Sequence, residues 1–139
     1  MARKHTDYII IHCAATRPSH EVDIADIDRW HRAQGWLKVG YNFFIKRDGT
    51  VQVGRELMEG GAHAKGYNSK SVGVCLAGGV MEDGKTPENN YTPAQWASLE
   101  KLVRFLAEQF PKAKVIGHND VAAKACPCFD AKEWWRGVS

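Results

Sequence analysis

The sequence predicts an α/β domain in which a central mixed β-sheet is flanked by helices. Three observations carry this. Short apolar runs, YIII at 8–11, GYNFFIKR at 40–47 and SVGVCLAG at 71–78, have the length and β-branched or aromatic character of strands. Capped stretches with apolar residues at helical spacing lie between them. Strand and helix signals alternate in the order β-α-β-β-β-α-β-α, as in a layered domain built around one sheet. A chain of 139 residues suffices for a single domain, 1–139, with a real hydrophobic core.

Residues 7–12 form the first strand, ended by His12. Asp23 then caps a helix with Ile24, Ile27, Trp30 and His31 on one stripe, and Gly35 ends it. Residues 40–47 read as a strand. Asp48-Gly49 is a hairpin turn signal, and TVQVG returns as the partner strand. Residues 56–70, rich in Gly, Ala, Asn and Ser, read as a long loop, which in a compact domain is a candidate functional segment. Residues 71–78 form a further buried strand, and 80–90 are polar and turn-rich. Thr92-Pro93-Ala94-Gln95 opens the clearest helix. Thr92 caps it, Pro93 takes the first helical position and Gln95 completes a capping box. Trp96, Leu99, Val103, Leu106 and Phe110 follow at helical spacing. KVIG at 114–117 is the last short strand, ended by His118. Asp130, with Glu133 three residues on, caps a final helix carrying Trp134 and Trp135.

Bulk properties narrow the function classes. A net charge of +3 is too mild to imply nucleic acid, but it suits an anionic partner such as a cell wall. No apolar run approaches the roughly 20 residues of a membrane helix, so membrane insertion is not expected. The N-terminus is basic but lacks an apolar stretch of signal-peptide length before His12. The expectation is a monomer made in the cytoplasm without a secretion signal. Of the four cysteines, Cys75 lies in an apolar run and is expected as a buried free thiol. Cys126 and Cys128 are one residue apart, which is neither the redox C-x-x-C spacing nor a zinc-ribbon knuckle. A disulfide framework is not expected in a leaderless chain.

The stretch GHNDVAAKACPCFD, 117–130, allows four readings: half of a metal site, a redox pair, a disulfide anchor, or a loop with buried thiols. The metal reading rests on placement. His12 and His118 both end short buried strands, where α/β sheets build their sites. If the two strands are neighbours, the imidazoles converge. Cys126, eight residues after His118, lies before a helix N-terminus that favours a thiolate. Two imidazoles and one thiolate are good zinc ligands, and three protein ligands leave the fourth tetrahedral position free for catalysis. The plainer alternative is a strand-end histidine held by hydrogen bonds, and spacing alone leaves both open. His5 and His20 sit in polar stretches and are expected in solvent; His31 is a packing or surface residue.

Five stretches, IIIHCAATRPS, QGWLKVGYNFFIKRDGTVQVGRE, GGAHAKGYNSKSVGVCLAGG, YTPAQWASLEKLV and GHNDVAAKACPCFD, occur in a recognisable order and spacing. Over about residues 8–135 the chain resembles N-acetylmuramoyl-L-alanine amidases. The likeness is strongest to the small phage lysozymes of amidase type, whose fold also serves the peptidoglycan recognition proteins. The resemblance implies a zinc ion held by His12, His118 and Cys126. It places Tyr41 and Lys124 on residues that phage members need for activity, and His63 on a histidine near the substrate cleft. Lys65 and Tyr67 are candidates for the same groove, and Trp36 for either core or sugar contact. The implied substrate is peptidoglycan, cut at the amide joining the lactyl group of N-acetylmuramic acid to L-alanine. An endolysin of this kind reaches the wall by holin-type release. Some members also bind and inhibit the phage RNA polymerase, a second implied partner, although the N-terminal arm here is shorter than in some of them.

The chemistry asks for such groups independently. Amide hydrolysis needs a cation or donor at the developing oxyanion, for which Lys124 is a candidate. Tyr41 is a candidate to donate to that oxygen or to orient the attacking water. Their plainer readings are a sheet-packing tyrosine and a solvated lysine. The chain departs from the phage pattern at Asn42, where a histidine is common, at Ala123, where a proline is common, and at Cys128, where a small residue is usual. Cys128 is a competing ligand, an oxidation partner of Cys126, or a spectator. Two other classes compete with the zinc amidase: a peptidoglycan-binding module without catalysis, which usually lacks the thiol ligand, and a glycan-cleaving lysozyme using two carboxylates.

Overall fold

Five strands and three helices make up the computed structural model, which describes residues 2–139. The strands are β1 (Tyr8–Cys13), β2 (Phe43–Ile45), β3 (Val51–Val53), β4 (Ser71–Leu76) and β5 (Lys114–Gly117). The helices are α1 (Ile24–Ala33), α2 (Pro93–Gln109) and α3 (Ala131–Val138). The element order is the one expected from the sequence. The sheet runs β3-β2-β4-β1-β5; only the β2–β3 hairpin is antiparallel, so the sheet is mixed.

Alternation along the strands divides the core between two faces. Ile9 and Ile11 of β1, Phe43 and Ile45 of β2, and Val72, Val74 and Leu76 of β4 pack against Leu99, Val103 and Leu106 of α2 and Ala131 of α3. Phe44 and Cys75 point the other way, onto Ile27 of α1, and Ile10 meets Ala64 of the long loop beside Ile116. β1 and β4 are buried along nearly their whole length, as parallel strands covered on both faces must be.

Two strands are shorter than their apolar runs. In the 40–47 run only Phe43–Ile45 is strand. Asn42 is fully buried, and its Oδ1 accepts the Gly73 N–H at 3.0 Å, so a side chain replaces a ladder carbonyl there. The 71–78 run stops at Leu76 because Gly78 and Gly79 turn into the left-handed region, at φ +112° and +98°. The cap read at Asp23 and the capping box read at Thr92 and Gln95 are present, and Asp26 makes the first a capping box as well. Gln95 does more than cap. Fully buried, it donates from Nε2 to the carbonyls of Ile45 (3.2 Å) and Ala77 (2.8 Å), tying α2 to the ends of β2 and β4.

Candidate metal centre and cleft

β1 pairs in parallel with β5, Ile11 opposite Gly117. The next residue along the chain is a histidine in each case, so the register brings His12 and His118 side by side, with ring centroids 4.5 Å apart. Parity puts His12 on the face of Ile10, away from α2 and α3. The loop after β5 opens with a 3₁₀ turn, His118–Asp120, where Asp120 Oδ2 accepts the Gly117 N–H. It then returns over the end of β1. There the Cys126 sulfur accepts the Cys13 N–H at 3.0 Å. Tyr91, buried, donates to the Pro127 carbonyl at 2.6 Å and anchors the segment.

This construction gathers His12, His118 and Cys126. One ligand atom from each lies within 4.8 Å of the others, so the cluster can hold a metal ion. It is the sole such group of three or more His, Cys, Asp or Glu among the described residues. Burial, then His63, His118 and Lys124 nearby, holds His12 well below the usual histidine range. Burial and Lys124 lower His118 as well. Both imidazoles are therefore neutral near pH 7, the form that donates a lone pair. The Cys126 sulfur lies against the Cys13 backbone, accepting its N–H at 3.0 Å and donating to its carbonyl at 3.8 Å. Interaction between the two thiols lowers the Cys13 thiol against the effect of burial and, together with burial, raises that of Cys126, so the pair gives up one proton and holds the second. Cys75 is fully buried, and Cys128 donates to the Gly79 carbonyl at 3.2 Å.

The cluster borders a cleft, onto which His118 opens. A groove of about 720 Å³ is lined by Trp36, His63, Lys65, Asn68, His118 and Lys124 among others. A second, of about 370 Å³, shares Trp36, His63, His118 and Lys124 and adds Trp30, His31 and Tyr41. The Tyr41 ring lies 5.1 Å from His12. Burial raises its phenol well above the ordinary tyrosine value, so it remains a proton donor. Lys124 is exposed on the loop between His118 and Cys126. Trp36 is 38% exposed and faces the cleft, with its ring 4.3 Å from His31. Tyr67 turns instead onto Tyr8, ring edge to face at 5.4 Å. His31 is a packing residue, its Nδ1 accepting the Gly40 N–H at 2.9 Å. His5 and His20 are exposed.

His63 sits between cleft and cluster. It is buried, 9% exposed, with Nδ1 at 2.8 Å from His12 Nε2 and Nε2 at 3.2 Å from Ser71 Oγ. The loop that carries it is held by Asn68, whose Oδ1 accepts the N–H groups of His63 and Ala64. Asn42 adds donors to the carbonyls of Glu56 and Glu59. Sequence reading did not find Ser71, Asn68 or Gly73 behind this histidine. The one available signal was Gly73, a lone glycine inside a buried strand, which marks a close approach. A Cβ there would lie 2.7 Å from the His63 ring.

Residues 2–129 match the family model described as N-acetylmuramoyl-L-alanine amidase. The endolysin of Escherichia phage T7 is 53% identical over 133 residues, spanning 96% of this chain and 87% of that one. Among solved structures, the N-acetylmuramoyl-L-alanine amidase LysC from Clostridium intestinale superposes with a TM-score of 0.81 at 28% identity, over 96% of this chain and 83% of that chain. A Drosophila PGRP-LB variant, solved in complex with tracheal cytotoxin, superposes with a TM-score of 0.77 at 26% identity, over 91% of this chain and 78% of that chain.

Proposed function

We propose, from the premise that the chain belongs to the N-acetylmuramoyl-L-alanine amidase family, that it is a zinc-dependent endolysin. Its substrate is peptidoglycan and its target the amide between N-acetylmuramic acid and L-alanine. The observation that carries this reading is the convergence of His12, His118 and Cys126 beside a cleft that His118 lines. Two nitrogens and one sulfur are a donor set that suits zinc and leaves a position open. Bound there, zinc would supply a Lewis acid and an activated nucleophile near neutral pH.

The chain's own residues do the rest. Lys124 places an ammonium on the cleft wall beside His118, where it stabilises charge growing on the carbonyl oxygen. Tyr41 keeps the proton on its hydroxyl and presents it beside His12, as a donor to that oxygen or to the attacking water. The groove between Trp36, Lys65 and Lys124 gives the glycan and stem peptide a path across the site, and His63 forms part of its floor. No helix of the described residues is long and apolar enough to cross a membrane. In this reading a holin-type partner delivers the protein to the wall.

Digestion of purified cell walls tests the bond assignment. New L-alanine amino groups without new reducing ends are expected. Reducing ends without new amines would mark a glycan-cleaving enzyme, and binding with neither product a recognition module; either result sinks the proposal.

A further inference from the structure

Behind the cluster, a file of hydrogen bonds runs from His12 to a backbone carbonyl, and its polarity follows from its last member. Ser71 Oγ lies 2.7 Å from the Tyr67 carbonyl, which can only accept, so the hydroxyl proton is committed there. Towards His63 Nε2, at 3.2 Å, Ser71 Oγ therefore accepts, and His63 carries its proton on Nε2. The neutral ring then has a bare Nδ1 that accepts, so His12 Nε2, at 2.8 Å, donates. A neutral His12 protonated on Nε2 has its lone pair on Nδ1.

We infer that His63 and Ser71 are positioning residues: they fix the tautomer and tilt of His12, so that Nδ1 is the nitrogen offered to the metal. The fold makes room for this arrangement. A Cβ on Gly73 would stand 2.7 Å from the His63 ring, and one on Gly61 would stand 2.3 Å from it, so two glycines admit the imidazole against β4. Asn68 fixes the backbone of His63 from the other side through two N–H groups. His12 and His63 meet ring edge to face, with centroids 4.9 Å apart. Such partners behind a metal-binding histidine set its orientation and basicity, and losing one typically costs about 10–100-fold in metal affinity. The inference rests on the zinc reading above and assigns to His63 a role directed at the ligand as well as at the cleft.

The test has two arms. In the metal-free wild-type protein, ¹⁵N NMR should find the His12 proton on Nε2, protected from exchange, with a coupling across the hydrogen bond to His63 Nδ1. A proton on His63 Nδ1, or on His12 Nδ1, overturns the relay whether or not zinc binds. In the second arm, zinc affinity is measured by competition with a chromogenic chelator. His63→Leu and Ser71→Ala should weaken it, His63→Leu by about 10–100-fold. His63→Asn, whose Oδ1 stands where Nδ1 does, should recover most of the loss. Wild-type affinity in a folded His63→Leu or Ser71→Ala protein overturns the relay. Failure of the wild type itself to bind zinc sinks the proposed function instead, and the proton position still decides the relay.

Discussion

The N–H of Cys13 donates to the sulfur of Cys126 at 3.0 Å, joining two residues 113 positions apart in the chain. This bond closes the third corner of the cluster, because it holds the C-terminal loop over the end of β1. A Cys126→Ser protein keeps an acceptor for that N–H and should fold. It lacks the thiolate, so its zinc content should fall from one ion per chain towards none, and wall hydrolysis with it. Metal analysis after dialysis reads the first and amine release the second. Cys128→Ser, by contrast, should leave zinc content unchanged, because that thiol is spent on the Gly79 carbonyl.

Lys124 and Tyr41 line the cleft without belonging to the ligand cluster. Their variants should therefore separate chemistry from metal binding. Lys124→Ala is expected to lower kcat by about 10²–10³-fold, as for loss of one oxyanion donor. Tyr41→Phe should lower it by about 10²–10⁴-fold, as for loss of a positioned proton donor. Both should bind zinc like the wild type. Loss of zinc in either would assign that residue to the cluster, and full activity would remove it from the mechanism.

His31 supplies a pH dependence. Burial, opposed by the Asp28 carboxylate and aided by Arg55, lowers its pKa, and its Nδ1 accepts from Gly40 only while unprotonated. Below an ordinary value near 6.5 the unfolded chain therefore binds a proton that the folded chain refuses, so stability falls as pH falls. The slope from this one residue is at most about 1.4 kcal/mol per pH unit, and it ends once the folded histidine itself titrates. His31→Asn offers an acceptor with no proton to gain. Urea midpoints at pH 7 and 5 should drop less in the variant, and equal drops would contradict the assignment.

Gln95 is a stability prediction. Replacement by Ala leaves the buried Ala77 carbonyl without its donor, at about 1–3 kcal/mol, takes one of two donors from the Ile45 carbonyl, which keeps the Ala77 N–H, and also opens the capping box. Urea titration should show a loss of that order. A Gln95→Ala protein as stable as the wild type would mean that water reaches the Ala77 carbonyl.

The legible parts of the sequence were those with local causes. Thr92, Pro93 and Gln95 mark a helix start by geometry confined to four residues, and Asp48-Gly49 marks the hairpin in the same way. The cluster was legible only in part. That His12 and His118 lie at or next to strand ends can be read locally; that those strands pair, with Ile11 opposite Gly117, is a long-range fact with no local signal. The resemblance supplied what spacing left open, including Tyr41 and Lys124. Ser71 stayed hidden because its task lies across the sheet face, with a loop histidine eight residues away, where neither helical nor strand periodicity links the two. Asn42 reads in the sequence only as a departure from the histidine common in phage members. Its place in the fold, tying the loop and β4 together through four hydrogen bonds of backbone and side chain, shows only once both partners are in place.

Metal dependence tests the account most directly. The protein is stripped with a chelator, dialysed, and assayed on purified walls for newly exposed L-alanine amino groups, before and after one equivalent of zinc. The account predicts no release from the stripped wild type, recovery with zinc, and no recovery in Cys126→Ser. Undiminished release from fully stripped protein, or zinc-restored release in Cys126→Ser, would contradict a zinc hydrolase built on His12, His118 and Cys126.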